Sequence, residues 1–241
     1  MNNNFDYTLF PNKLNCGCGF DILNGYLNVD LNEFHHPDLV ADVTNLNMLP
    51  SNYYTEIIAY DILEHIERTK TKMVIAEWNR LLIPNGLIKI RAPNLIGLLK
   101  LFSKKDYQTI QKQEELIQCC FGTQAYYGDF HYTSFTESLI RHYLKISGFE
   151  NISITIRDEW LFEITAKKMV SLNQGNDNEY LKISAFLHDA YSKFLCREPD
   201  ISGYNFFFDQ LISGKMTEET VIVIFKNSEE REKLLTIHEV K

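Results

Sequence analysis

The chain has 241 residues, 45% of them hydrophobic, and a formal net charge of −8 at pH 7. That length suits one large α/β domain, or a medium domain with a small appendage. The acid excess argues against the basic surface that nucleic-acid phosphates or anionic membranes attract. No apolar run approaches the ~18 residues needed to span a bilayer, and MNNNFDYTLFPN lacks the basic-then-apolar layout of a signal peptide. Cys16, Cys18, Cys119, Cys120 and Cys196 form neither a paired CxxC set nor an even disulfide framework, which predicts reduced thiols and a cytoplasmic location.

Along the chain, residues 13–16, 26–31 and 39–43 read as strands, and EIIAY at 56–60 is a continuous apolar run suited to burial on both faces. A helix is predicted over 69–82, stopped by Ile-Pro-Asn-Gly at 83–86, and LIKIRA at 87–92 gives the next strand. This alternation predicts a mostly parallel sheet. Residues 94–125 look helical, an insertion above the sheet. Ser134-Phe-Thr-Glu137 has capping-box spacing, and its helix should end near Gly148. Two β-rich runs, 151–156 and 159–167, flank Arg157-Asp158 and predict an antiparallel hairpin, making seven strands. SLNQGNDN at 171–178 is polar and aperiodic, a linker; residues 179–241 carry only helical patterning. The expected domains are 1–170 and an all-α 179–241.

In an open parallel sheet, ligands bind beyond the carboxyl ends of the strands. There the sequence delivers Gly17-Cys18-Gly19, then Asp30, then Asp42, then Tyr60, Asp61, Glu64 and His65. A side-chain-free turn, a carboxylate able to accept from ribose hydroxyls and a second acid near an adenine amino group suit a nucleoside. The dinucleotide fingerprint is absent: Ile22 stands where its third glycine belongs, Asp30 comes too early, and no P-loop lysine follows. The expected ligand lacks phosphate.

LNCGCG, NVDL, ADVTNLNMLP, EIIAYDILEHI, LLIPNGLIKIRAPN and HYTSFTESLIRHYLKISGF resemble, in order, the motifs of class I S-adenosylmethionine-dependent methyltransferases of a bacterial type, over about residues 13–167. The resemblance implies a Rossmann-like seven-stranded sheet with helices on both faces, and S-adenosyl-L-methionine as cofactor. It puts Gly17 and Gly19 under the methionine and ribose, Asp30 on the ribose hydroxyls, Asp42 and Val43 at the adenine, and the backbone around Tyr60 at the methionine ammonium. Asn15, Cys16, Leu31, Asp61 and His65 complete the expected cofactor side. In one departure, residues 20–26 leave room for at most a turn where the usual first helix stands, so the N-terminal segment or Asp21 is expected to substitute.

The implied chemistry is methyl transfer from a sulfonium, aided by a base if the acceptor is a hydroxyl. His131, in GDFHYTSF, is the preferred base, with Asp129 orienting it. A Glu64–His65 metal site needs further ligands that the sequence does not identify, so no metal is expected. The C-terminal segment resembles a bacterial helical domain family of uncharacterised function through Arg197, Pro199, Asp200, Gly203, Leu211, Gly214, Ser228 and Glu229, with Phe207 or Phe208 where tryptophan is common. That family's company with glycosyltransferases suggests a glycan context and a protein-docking role. The reading is a methyltransferase acting on a small molecule or glycan, with a sugar hydroxyl as first choice. Transfer to nitrogen stays open, as does a non-catalytic cofactor-binding or scaffold protein of surface-glycan assembly.

Overall fold

Strands β1 (Lys13–Cys16), β2 (Leu27–Asp30), β3 (Leu39–Val40), β4 (Tyr54–Tyr60), β5 (Leu82–Pro93), β6 (Phe149–Arg157) and β7 (Leu161–Lys168) form one sheet, ordered β3-β2-β1-β4-β5-β7-β6. The computed structural model describes residues 5–169, 176–197 and 199–233. β1 to β5 pair in parallel, and β7 lies antiparallel between β5 and β6. The strand order reverses at β1 and β4, so a crevice opens at their carboxyl ends. Local pattern explains the layers. Leu14, Leu27, Val29, Ile57, Ala59, Ile88 and Ile90 are wholly buried, as central parallel strands require. β7 alternates buried and exposed along its length, whereas the edge strand β6 is mostly exposed.

Helices α1 (Thr71–Leu81) and α4 (Glu137–Ile146) pack on each other, α1 also against β5 and α4 against β6. α1 buries Val74, Ile75, Trp78 and Leu81, one stripe at helical spacing. Helices α2 (Leu95–Leu101) and α3 (Ile110–Phe121) make the expected insertion, with a satellite core of Leu98, Leu101 and Leu116 that Trp160 covers.

Three expectations need correction. The helix does stop ahead of Ile-Pro-Asn-Gly, at Leu81, but that segment is not a turn before the next strand: β5 runs through it as a bulge, with Asn85 at φ +62° while the pairing jumps from Tyr54 with Leu82 to Glu56 with Leu87. The cap of α4 is Thr136, whose hydroxyl accepts from Leu139 N–H at 3.3 Å, and not Ser134, whose hydroxyl donates to Pro93 O. Glu137 instead pairs with Arg141 one turn along. Finally, α5 starts at Asn176, so the last three residues of the expected linker are helical; 171–175 lie outside the described residues, as do 234–241 of the C-terminal domain. Between the glycines and β2 there are only turns.

The chain divides into two compact units, Met1–Val170 and Ser171–Lys241. The second contains α5 (Asn176–Leu195), α6 (Ile201–Ile212) and α7 (Glu218–Lys226) around Leu187, Tyr191, Tyr204, Val221 and Phe225, with Phe207 set edge-on to Phe225. Asp200 caps α6 by accepting from Gly203 N–H at 2.8 Å, and Arg197 bridges Asp200 and Glu230. Among the described residues, no helix is long and apolar enough to cross a membrane.

Candidate functional site

Two glycines shape the loop after β1 for different reasons. Gly17 has φ +66°, and a Cβ there would lie 2.6 Å from Ile62 Cδ1, so this turn passes the turn after β4 with no room for a side chain. Gly19 has φ +50° but open space where a Cβ would stand. The Gly17 and Cys18 N–H groups both donate to Val29 O, at 2.8 and 3.0 Å, hooking the loop over β2.

The loop closes on Asp30. Gly19 N–H donates to its Oδ2 at 2.8 Å, Asn32 N–H donates to Oδ1 at 2.8 Å, and His35 Nδ1 lies 2.9 Å from the same oxygen. A carboxylate offers about four lone-pair positions, and three are taken here. One more donor fits on Asp30 without displacing a bond already made. His35, read from the sequence as loop, is buried in this network and ringed by Phe20, Phe34 and Tyr126, with centroids 4.6, 4.1 and 5.8 Å away.

The other named residues are placed as follows. Asn15 is spent on the loop: its amide donates to Asp21 O at 2.9 Å and to Asn28 Oδ1 at 3.0 Å. Cys16 is fully buried, and burial drives its thiol far above the ordinary range. Leu31 is exposed; Asp42, also exposed, accepts from Thr44 N–H at 2.8 Å, and Val43 is buried. Tyr60 is exposed, with the Arg91 guanidinium 4.9 Å above its ring. Asp61, at φ +51°, takes Arg91 Nε on both carboxylate oxygens at 2.9 and 2.8 Å. Arg91 went unnoticed in the sequence, although a basic residue near the carboxyl end of a buried strand (LIKIRA) was a usable signal.

Beside Asp61 opens a cleft of 620 Å³ lined by residues that include Glu64, His65, Gln118, His131 and Trp160. Glu64 is 2% exposed and its Oε2 has no hydrogen-bond partner; burial pushes its carboxyl up to about 8. Its backbone oxygen accepts from Tyr132 N–H at 2.7 Å, which ties the segment after α3 to this turn. His131 is thereby set against His65, ring centroids 4.6 Å apart at 84°. His131 Nδ1 lies 3.0 Å from Cys119 O. A carbonyl only accepts, so Nδ1 carries the hydrogen and Nε2 keeps its lone pair. His65 Nδ1 is buried without a hydrogen-bond partner. Burial pushes both imidazoles below the usual histidine range.

Asp129 does not orient His131. Its Oδ2 accepts from the Thr123 hydroxyl and, at 3.5 Å, from Ala125 N–H, so it staples its own loop and acts on the two rings only through its charge. The Cys119 carbonyl performs the orienting role instead, a long-range pairing that no local motif signals.

The order β3-β2-β1-β4-β5-β7-β6 with β7 reversed, and these polar groups at the carboxyl edge, define a Rossmann-like fold of the methyltransferase type. Residues 175–235 match a family model described as a domain of unknown function, DUF4214. A "possible exported protein" from Bordetella parapertussis is similar in structure, with TM-score 0.50 and 14% identity over 67% of this chain, which spans 63% of that protein's length. An Archaeoglobus fulgidus SAM-dependent methyltransferase aligns at TM-score 0.47 and 15% identity, over 66% of this chain and 86% of its own. A Burkholderia thailandensis 1,6-didemethyltoxoflavin N1-methyltransferase, solved with its substrate and S-adenosylhomocysteine, aligns at 0.42 and 15%, over 66% of this chain and 71% of its own. No curated protein matches the sequence.

Proposed function

We propose that the first unit is an S-adenosylmethionine-dependent methyltransferase for a small-molecule or glycan acceptor, with a sugar hydroxyl as the favoured group. The observation that carries the reading is the closure of the glycine loop on Asp30 at the sheet's switch point, next to open space at Gly19. The surroundings fit this cofactor: a free acceptor direction on Asp30 and aromatic side chains at Phe20, Phe34 and Tyr126. Asp30 and Gly19 would hold the ribose side, Asp42 and Val43 the adenine side, and the Tyr60–Asp61 backbone the amino-acid end. Asn15 and Cys16 would act by shaping the loop and Leu31 by covering it, while His65 belongs to the acceptor side.

When bound, the cofactor supplies an electrophilic methyl group on a sulfonium. The chain's part is to hold an acceptor in the adjacent cleft, exclude water and take the hydroxyl proton, with His131 Nε2 as the available lone pair. The second unit, by its likeness to a domain that has no assigned chemistry, would dock a protein partner. Calorimetry with S-adenosylhomocysteine tests the cofactor half. Transfer of a labelled methyl group to nucleotide sugars and glycan extracts tests the acceptor half: cofactor binding with no product across a broad panel favours the scaffold reading, and methylated amines favour transfer to nitrogen.

A further inference from the structure

Glu64, His65 and His131 come from two stretches of chain more than sixty residues apart, yet one ligand atom of each lies within 4.8 Å of the others. Each of the three residues also has an unclaimed donor atom. Glu64 Oε2 and His65 Nδ1 are buried with no hydrogen-bond partner, and His131 Nε2 is the nitrogen left over once Nδ1 has donated to Cys119 O. A buried, partnerless carboxylate oxygen carries a desolvation cost of several kcal/mol that a fold does not leave uncompensated without reason. Two imidazole nitrogens share its surroundings: with the carboxyl ionised none of the three can donate to another, and with it protonated, as burial favours, its one O–H can serve only one of the two nitrogens. A group that accepts electron pairs from all three at once satisfies them together.

We infer that these three side chains form a binding site for a first-row divalent cation, with coordination positions left open toward the cleft. The donor set, two imidazoles and one carboxylate, suits Zn²⁺, Co²⁺ or Mn²⁺ better than Ca²⁺ or Mg²⁺, which prefer all-oxygen shells. His131 already shows the outer support usual for such ligands, a ring N–H donated to a backbone carbonyl. Metal–nitrogen bonds of about 2.0–2.1 Å place tetrahedral ligand atoms roughly 3.4 Å apart, so the ion would draw the three inward. The charge around the cleft agrees: five of its charged lining residues are acids, against Arg91 and Arg157, and Arg91 is already paired with Asp61.

The open positions define the acceptor more closely. An ion in the cleft wall would bind one or both oxygens of a vicinal diol or a hydroxy-carbonyl pair, and coordination would acidify the hydroxyl to be methylated. His131 is then a ligand and no longer the base: the hydroxyl proton would pass to water at the open mouth of the cleft, and the oxygen would take the methyl group as its bond to the sulfonium sulfur breaks, releasing S-adenosylhomocysteine. This acceptor half rests on the methyl-transfer reading; the metal half rests on the cluster alone.

The test uses the full chain, stripped with chelator and without cofactor, titrated with Co²⁺ and followed by visible d–d absorption, with Zn²⁺ competition by calorimetry. The expected result is one equivalent bound with nitrogen–oxygen character. Glu64→Gln and His131→Ala should each weaken it by about 100-fold or more, since even outer partners are worth about 10–100-fold, while exposed His36→Asn leaves it unchanged. Glu64→Gln is nearly isosteric, so it stays informative should His131→Ala fail to fold. Three results overturn the inference: no stoichiometric binding, binding undiminished in both variants, or an intense thiolate charge-transfer band that puts the ion on Cys119. Co²⁺ binding without S-adenosylhomocysteine binding would refute the methyl-transfer reading and leave the metal site standing; the reverse would remove only the metal.

Discussion

Asp30 offers the sharpest prediction because it holds up the loop as well as facing the proposed ligand. In Asp30→Ala, the Gly19 N–H, the Asn32 N–H and His35 Nδ1 lose their acceptor together. Hydrogen bonds to a charged group contribute about 1.5–3 kcal/mol each, and a stranded buried donor costs about 1–3. The site is 6% exposed, so little water can refill it. The three are not additive, and a total of about 3–5 kcal/mol is expected. Asp30→Asn keeps one oxygen for Asn32 and His35 but turns an NH₂ toward Gly19 N–H, which limits its cost to about 1–3 kcal/mol. Both tryptophans, Trp78 and Trp160, belong to the first unit, so urea unfolding followed by tryptophan fluorescence reports that unit alone. With an m-value near 2 kcal/mol/M, the alanine variant should shift the midpoint by roughly 1.5–2.5 M. S-adenosylhomocysteine affinity should fall steeply in both variants. An alanine variant within ~0.5 kcal/mol of the parent, with unchanged affinity, would refute both roles of Asp30.

The two glycines should separate stability from binding. Gly17→Ala forces a Cβ into Ile62 at a positive φ and should destabilise by about 2–4 kcal/mol; Gly19→Ala meets open space and should cost about 1 kcal/mol while still lowering cofactor affinity, read by the same melts and calorimetry. Buried Lys168 donates to Asn52 Oδ1 and Asn79 O at 2.8 Å and to Leu82 O at 3.0 Å; Lys168→Met strands those acceptors and should lower stability by about 2–4 kcal/mol, so a neutral result in urea would contradict the burial argument. In the second unit, the Arg197 guanidinium beside Glu230 holds its carboxyl below the ordinary 4.5. A depressed acid stabilises above the unfolded value and loses that contribution as pH falls through the folded one. Hydrogen exchange in α6 and α7, corrected for intrinsic rate, should therefore lose protection as pH falls below 4.5 and on through the lowered folded value, and Glu230→Gln should abolish that pH dependence.

Local pattern, set by strand and helix periodicity and by turn residues, determined the seven strands, the hairpin, the glycine turn and the placing of Asp30 and Asp61 at strand ends. These are properties of residues close in sequence, and burial on both faces of β4 leaves the apolar run Ile57-Ile58-Ala59. Even the near misses are local: Thr136 in place of Ser134, and a turn absorbed into β5, where the neighbouring strand holds the chain extended on both sides of Pro84.

What the tertiary structure alone decided is which polar groups answer one another. His35 sits five residues from Asp30 in a stretch that reads as loop, yet it is buried against that carboxylate. Asp129 lies two residues from His131 and bonds elsewhere, while the carbonyl that fixes the ring comes from Cys119, at the far end of α3. A Glu64–His65 metal site needs further ligands that the sequence does not identify; the backbone bond from Tyr132 to Glu64 brings His131 beside them. Periodicity encodes which side of an element is apolar. It carries no information on where two distant segments meet, because that is set by how the whole sheet and its insertion pack.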